Sequence, residues 1–151
     1  MASKIPMSLA IRSATLNDVP AIRGIEQRAP SASHWTVDQY NNLILSGIVL
    51  IAEQAEGLCG FISAQAVAAE WEIENVVVAP EFLRRGIATE LMREVIKRAR
   101  VEKASTVRLE VRESNQAARS LYEKLNFRLE GRRPAYYRDP AEAAVLYALP
   151  L

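Results

Sequence analysis

Residues 76–91 read VVVAPEFLRRGIATEL. The β-branched run Val76, Val77 and Val78 predicts the end of a strand, and Pro80 stops it. A short basic turn follows, Leu83-Arg84-Arg85-Gly86-Ile87-Ala88, and an amphipathic helix opens near Ile87. Strand, tight turn and helix start in this order leave several backbone N–H groups unpaired and pointing one way. With the positive end of the helix dipole, they form a site for phosphate. Gly86 lets the backbone approach an anion without a Cβ in the way. Arg84 and Arg85 add positive charge. The turn is not a P-loop, because no Gly-Lys-Ser/Thr follows, and GxGxxG is absent. A ligand carrying a pyrophosphate is the first expectation. Taken alone, the turn also fits an ordinary strand–helix connection with solvated arginines, so the order of elements around it decides.

Working outward, residues 9–13 read as a strand. Asn17 or Asp18 is placed to cap a helix to about Arg28, with Val19, Ile22 and Ile25 on one face. Residues 29–33 break the pattern. Thr36 with Gln39 makes a capping box for a second helix to about Leu45, ended by Gly47. Residues 48–53 and 58–68 form a hairpin about a Glu56-Gly57 turn. A fourth strand covers 71–78, and the third helix 85–102, with Leu91, Val95 and Ile96 inward. Residues 106–112 alternate as a fifth strand. Ser114 or Asn115 caps a fourth helix to Leu125, and strands at 127–132 and 143–149 finish the chain. The order β-α-α-β-β-β-α-β-α-β-β predicts an α/β (α+β) fold, a mixed sheet of about seven strands with helices on both faces.

The bounds set by composition agree. At 151 residues the chain is long enough for one domain, 1–151, with a full core. A net charge of +1 gives no global field for nucleic acid or anionic membrane, so neither partner is expected. Cys59 is the only cysteine and cannot form an internal disulfide, which favours a reducing compartment. No apolar run approaches the ~20 residues of a membrane span, and MASKIPMSLA lacks the apolar core of a signal peptide. A cytoplasmic location is expected.

This order of elements resembles that of the GCN5-related N-acetyltransferase (GNAT) superfamily over nearly the whole chain. The resemblance implies a mostly antiparallel sheet with a splayed parallel β4/β5 pair, acetyl-CoA as cosubstrate, and no metal. The turn matches the family's Q/R-x-x-G-x-G/A pyrophosphate loop at Gly86 and Ala88; Leu83 departs from the usual Gln or Arg. That departure is mild if the backbone of Arg84, Arg85, Gly86, Ile87, Ala88 and Thr89 does the binding. LEVRESNQAARSLYEKLNF, residues 109–127, is closer still to the ribosomal-protein-alanine N-acetyltransferase branch. So are Ile25-Glu26-Gln27-Arg28, residues 132–137 and the ending Tyr147-Ala148-Leu149-Pro150.

Acetyl transfer from a thioester needs a neutral amine, a polarised carbonyl and a proton for the departing thiolate. With direct attack by the amine no nucleophilic side chain is required, so Cys59 reads as a small core residue. His34, the only histidine, reads as a surface or substrate-loop residue. The resemblance makes Glu110 of LEVR the general base. On an alternating strand Glu110 shares a face with Arg108 and Arg112, opposite Val107, Leu109 and Val111, so a purely structural ion pair is its alternative. Glu72 and Glu74 are rival bases. Tyr122 is expected as the general acid. It follows Asn115 by seven residues, which puts both on one helix face. Asn115 would bind the pantetheine arm and cap the helix, and the backbone of Val76, Val77 and Val78 would pair with that arm.

Tyr136 and Tyr137 match the position where peptide N-terminal acetyltransferases hold the acceptor backbone. The inserted Pro134-Ala135, and the stretch from Ala29 to Trp35, depart from the family pattern where acceptors are chosen. An α-amine has a pKa near 8 and lysine about 10.4, a gap of about 3.4 kcal/mol in favour of the neutral α-amine. The gap favours α-amine transfer without excluding lysine, and the resemblance implies a protein N-terminus, alanine of a ribosomal protein, as the acceptor. A small-molecule amine, a lysine, or a non-catalytic acyl-CoA-binding module are the alternatives.

Overall fold

The computed structural model describes residues 9–29 and 34–151. The expected break at 29–33 therefore lies outside the described residues beyond Ala29, as does most of the N-terminal stretch. The elements are β1 (Ala10–Ser13), α1 (Val19–Gln27), α2 (Val37–Ser46), β2 (Ile48–Gln54), β3 (Gly57–Val67), β4 (Glu70–Val78), α3 (Ile87–Val101), β5 (Thr106–Arg112), α4 (Gln116–Lys124), β6 (Arg128–Tyr137) and β7 (Glu142–Pro150). One seven-stranded sheet runs β1-β2-β3-β4-β5-β7-β6, antiparallel except for β4 and β5.

Each element forms for a local reason. In α2 the Thr36 hydroxyl accepts from the Gln39 amide at 3.1 Å while Gln39 accepts from the Thr36 amide at 2.8 Å, the expected capping box. α1 differs from expectation. A 3-10 turn at Leu16–Asp18 precedes it, and the Asp18 carboxylate turns back to the Thr15 amide at 2.7 Å and to Arg12 at 2.9 Å. The arginine holds that carboxyl below its usual pKa. In α3 the buried positions Ile87, Leu91, Met92, Val95, Ile96 and Ala99 recur at helical spacing and fill one face of the sheet. β5 alternates strictly, with Val107, Leu109 and Val111 inward.

Two cores result. α3 and α4 pack on one face against Leu50, Ile62, Ile73, Leu109 and Tyr147. On the other, α1 and α2 pack Ile22, Ile25, Tyr40 and Leu43 against Val49, Phe61 and Val77. Gly60 is required in this sandwich, since a Cβ there would sit 2.7 Å from the Val77 carbonyl oxygen. Cys59 is buried in the first core, as its composition suggested. Among the described residues no helix is long and apolar enough to cross a membrane.

The feature that positions the site is where sheet pairing stops. β4 and β5 pair from Glu70↔Thr106 to Ile73↔Leu109 and no further, although both strands continue. On its other side β4 stays paired to β3, but the register slips: Ala64 faces Ile73 and Ser63 faces Asn75. Glu74 is the extra residue, a bulge that bends β4 where it leaves β5. The two parallel strands splay as the resemblance implied.

Candidate active site

The splay opens a cleft with two lobes. One lobe, about 310 Å³, lies between Val76, Val77 and Val78 of β4, the end of α1 at Arg28 and Ala29, Leu83, Ala88, and the α4 residues Asn115, Ala118 and Tyr122. The other, about 120 Å³, is lined by Glu74, Asn75, Glu110, Arg112 and Tyr137. Val76, Asn115, Ala118 and Tyr122 border both lobes. Tyr122 therefore stands at the junction of a passage open from two sides.

At one end lies the turn 83–88 between β4 and α3. Arg84 and Gly86 both take positive φ, 65° and 79°, on either side of Arg85. Such alternation turns successive N–H groups toward one side, as in anion-binding nests. Gly86 is the N-cap of α3, so the amides of Ile87, Ala88 and Thr89 begin the helix without intrahelical acceptors. The side chains divide differently. Ile87 is buried in the core and offers only its amide, Ala88 lines the cleft, and Arg85 stacks on Phe82 at 5.2 Å. Leu83, the family departure, lines the cleft as an exposed apolar residue. Arg84 at positive φ was invisible in the sequence, because arginine carries no signal for that backbone region.

Along the cleft, Val76, Val77 and Val78 of β4 have no β5 partner, so their backbone groups on that side are open to an extended ligand. The Val77 side chain packs toward α1 and α2, while Val76 and Val78 lean on the opposite core. Asn115 is the N-cap of α4, with Oδ1 accepting from the Ala118 amide at 3.2 Å. These residues fit a thioester of coenzyme A, with a nest for pyrophosphate, an open strand edge for an amide-bearing arm, and a buried phenol at the far end.

Tyr122 is only 8% exposed, and burial pushes its phenol up to about 12, with nearby Tyr137 adding to the shift. It stays protonated throughout the physiological range. Its ring packs against Phe127 and Tyr147. α4 is held beneath it by Tyr147, whose hydroxyl donates to Glu123 at 2.6 Å and accepts from Arg119 at 3.0 Å.

On the second lobe, Glu110 does not pair with the arginines of its own strand. Arg108 is engaged by Glu70 and Glu130, and Arg112 by Glu142 at 3.3 Å. Glu110 instead meets Arg133 of β6 at 3.3 Å and lies in hydrogen-bond reach of Tyr136. Arg133 stacks on Tyr136, and Arg112 on Tyr137 at 4.5 Å. The two tyrosines were expected in a loop after a strand ending at 132. β6 runs on through Tyr137, with its ladder to β7 interrupted between Arg133 and Tyr137. The inserted Pro134-Ala135 falls in that interruption, and Ala135 takes a positive φ of 52°. Tyr137 lines the lobe, whereas Tyr136 stays half-exposed beside Glu110. Burial raises the Tyr137 phenol, and the Glu110 charge raises that of Tyr136.

Glu74 also faces this lobe. Burial, with the neighbouring Glu72 and Glu110, holds its carboxyl above the ordinary glutamate value. Arg133 and the bulge at Glu74 had no sequence signal. Both depend on how strands separated in the chain come together.

The Acetyltransferase (GNAT) family model matches residues 19–127. The [ribosomal protein bS18]-alanine N-acetyltransferase of Escherichia coli strain K12 is 33% identical over 93% of this chain and 97% of its own. The protein of the same name from Salmonella typhimurium is 34% identical over 89% of this chain and 92% of its own. The crystal structure of the ribosomal-protein-S18-alanine N-acetyltransferase from Escherichia coli superposes with a TM-score of 0.87 at 32% identity, covering 94% of this chain and 93% of that one. Ard1 from Thermoplasma volcanium also gives 0.87, at 25% identity over 96% and 99% of the two chains. The chain belongs to the GNAT family and is an acetyl-CoA-dependent N-acetyltransferase.

Proposed function

We propose that this enzyme acetylates the N-terminal α-amine of a protein, with the alanine of a ribosomal protein as the acceptor. The carrying observation is the two-lobed cleft meeting at Tyr122, one lobe ending in the anion nest and the other in Glu110, Tyr137 and Glu74. The names of the Escherichia coli and Salmonella relatives support the acceptor class.

Acetyl-CoA supplies the acetyl group as a thioester. The nest from Arg84 to Thr89 holds the pyrophosphate, and the open edge of β4 with Asn115 aligns the pantetheine arm. Tyr136 and Tyr137 hold the acceptor backbone so that its neutral amine reaches the thioester carbon beside Tyr122. As the C–N bond forms, Glu110 takes the nitrogen's proton through water. As the C–S bond breaks, the Tyr122 hydroxyl donates a hydrogen bond to the sulfur, which leaves as thiolate, and the proton taken by Glu110 passes on to solvent. A phenol near 12 lies well above a thiol near 8.5. Tyr122 thus acts chiefly by a hydrogen bond that strengthens as charge grows on sulfur.

A second reading of the base rests on Glu74. Burial, with the neighbouring Glu72 and Glu110, raises its carboxyl, so it takes a proton more readily than an ordinary glutamate.

Mass-spectrometric mapping of the transferred acetyl group tests the acceptor. Peptides beginning with a free alanine and containing lysine should be acetylated only at the N-terminus, and N-terminal blocking should abolish transfer. Acetyl found only on lysine, or only on small amines, would reject the N-terminal reading while leaving the family assignment intact.

A further inference from the structure

One buried acidic side chain has no part in this chemistry. Glu26, in the last turn of α1, is 2% exposed. It accepts a short hydrogen bond from the Tyr40 hydroxyl of α2 and another from the Trp35 amide at 3.0 Å. His34 Nδ1 lies 3.7 Å away. The Tyr40 hydroxyl is also hydrogen-bonded by Asn75, the residue after the Glu74 bulge in β4. Tyr40 is fully buried between Trp35 and the Phe61 ring. A chain of contacts therefore runs from Glu26 through Tyr40 to Asn75, and Asn75 lines the second lobe of the cleft. At its other end Glu26 lies two residues before Arg28, which with Ala29 forms a wall of the first lobe.

Stability does not account for this arrangement. A buried carboxylate is expensive to desolvate, and replacing a buried polar pair with apolar residues of similar volume is often neutral or stabilising. A methionine against a phenylalanine would pack α1 on α2 as well. The hydrogen bonds add direction instead, joining α1, the start of α2 and the bulged part of β4 at one carboxylate.

We propose that Glu26 is a positioning residue for the acceptor, setting through Tyr40 and Asn75 the spacing between the end of α1 and the bulge of β4. It touches neither substrate. The proposal rests on the acceptor entering by the lobe that Asn75 and Glu74 line.

The test compares KM values in the full chain. The wild type is first assayed with alanine-starting peptides, lysine peptides and small amines, and the acceptor it uses is taken forward. In the double variant Glu26→Met with Tyr40→Phe, the KM for acceptor should rise roughly 10-fold or more, since small misplacements cost up to about 10²-fold. The KM for acetyl-CoA should rise by a clearly smaller factor, since only the Arg28–Ala29 wall of the first lobe shifts, and the melting temperature should stay within a few degrees because the packing volume is kept. Glu26→Gln still offers an oxygen to Tyr40 and Trp35 and should restore the acceptor KM. Tyr40→Phe alone is the milder variant, and should show the same split at smaller size if the double variant does not fold. A double variant, or Tyr40→Phe, with an unchanged ratio of the two KM values would overturn the proposal, as would an equal rise in both. That result leaves the functional reading standing. A wild type that acetylates only small amines or lysines rejects the N-terminal acceptor, and the ratio measured on that amine still decides the role of Glu26. A wild type that transfers acetyl to no amine rejects both.

Discussion

The two halves of β4 are built from similar residues and do different work. Residues 70–73 are paired to β3 on one side and β5 on the other, with Trp71 and Ile73 buried in the α3 core. Residues 74–78 keep the β3 partner, lose β5, and begin with a bulge. In the first half every backbone group serves the sheet, and Glu70 is neutralised by Arg108. In the second half a strand edge is left open inside the protein, which would be a liability without something to bind there. Two groups beside the open half hold their protons through burial, Glu74 raised above its ordinary value and Tyr122 pushed up to about 12 across the cleft. The proposed site of acetyl transfer is the place where the sheet stops pairing with itself.

The comparison can be broken hardest at Glu110, on the β5 side of the open half. Glu110→Gln keeps shape and most hydrogen bonding but removes the base, so turnover near neutral pH should fall by ~10²- to 10⁴-fold. Part of the loss should recover at higher pH, where more of the α-amine is already neutral. A structural Glu110, merely paired with Arg133, would give a lower melting temperature with little change in turnover. If Glu74 is the base, Glu110→Gln leaves turnover nearly intact and Glu74→Gln loses it.

A smaller effect is expected at the nest. Gly86→Asp brings a side chain and a negative charge to a positive-φ position in the turn proposed to hold phosphate. It should weaken acetyl-CoA binding by roughly 10-fold or more, as loss of a charge-assisted contact does. Gly86→Asn, which tolerates this backbone region without the charge, should lose less. Calorimetry giving equal affinity for wild type, Asp and Asn variants would remove the loop from the cofactor site.

The smallest effect concerns stability and sharpens the contrast within β4. Glu74 holds its proton more tightly in the folded protein than its ordinary value of 4.5. A raised folded pKa gives stability that is fully present below the unfolded value and lost as pH rises through the folded one. Glu74→Gln should therefore raise the melting temperature at pH 7 and leave it nearly unchanged near pH 4. Glu70→Gln, in the closed half and paired with Arg108, should not show this gain. Equal responses at the two positions would contradict a special environment at the bulge.

Much of this was legible in the chain. The Thr36/Gln39 box, the alternation of residues 106–112 and the helical spacing of Leu91, Val95 and Ile96 are local signals, and each formed as expected. The Gly86 turn and the Asn115–Tyr122 helix could be read because one supplies positive φ and the other a cap and a face. The partner of Glu110 could not. The sequence pointed to Arg108 and Arg112 on the same strand face, but both are taken by carboxylates from other elements, and Arg133 comes across β7 from the edge strand. The bulge at Glu74 is likewise a product of register between β3 and β4, which no residue in β4 announces. The extension of β6 past Pro134 was hidden because proline reads as a loop, and nothing in Ala135 announces its positive φ. Of the two expected caps, Asn17 and Asp18, Asp18 holds the N-cap position of α1, but its side chain bonds Thr15 and Arg12 in place of the helix amides.

The central claim is that the two lobes are one transfer site with Tyr122 at their junction. Its most direct test is the single-turnover rate of acetyl transfer by Tyr122→Phe. The ring and its contacts with Phe127 and Tyr147 are kept, and one hydroxyl is lost. The rate of the chemical step should fall by ~10²-fold or more, the size typical of a positioned acid, with acetyl-CoA affinity and melting temperature near those of the wild type. An unchanged single-turnover rate would mean that Tyr122 only packs, and that the junction of the lobes is not where the acetyl group is passed.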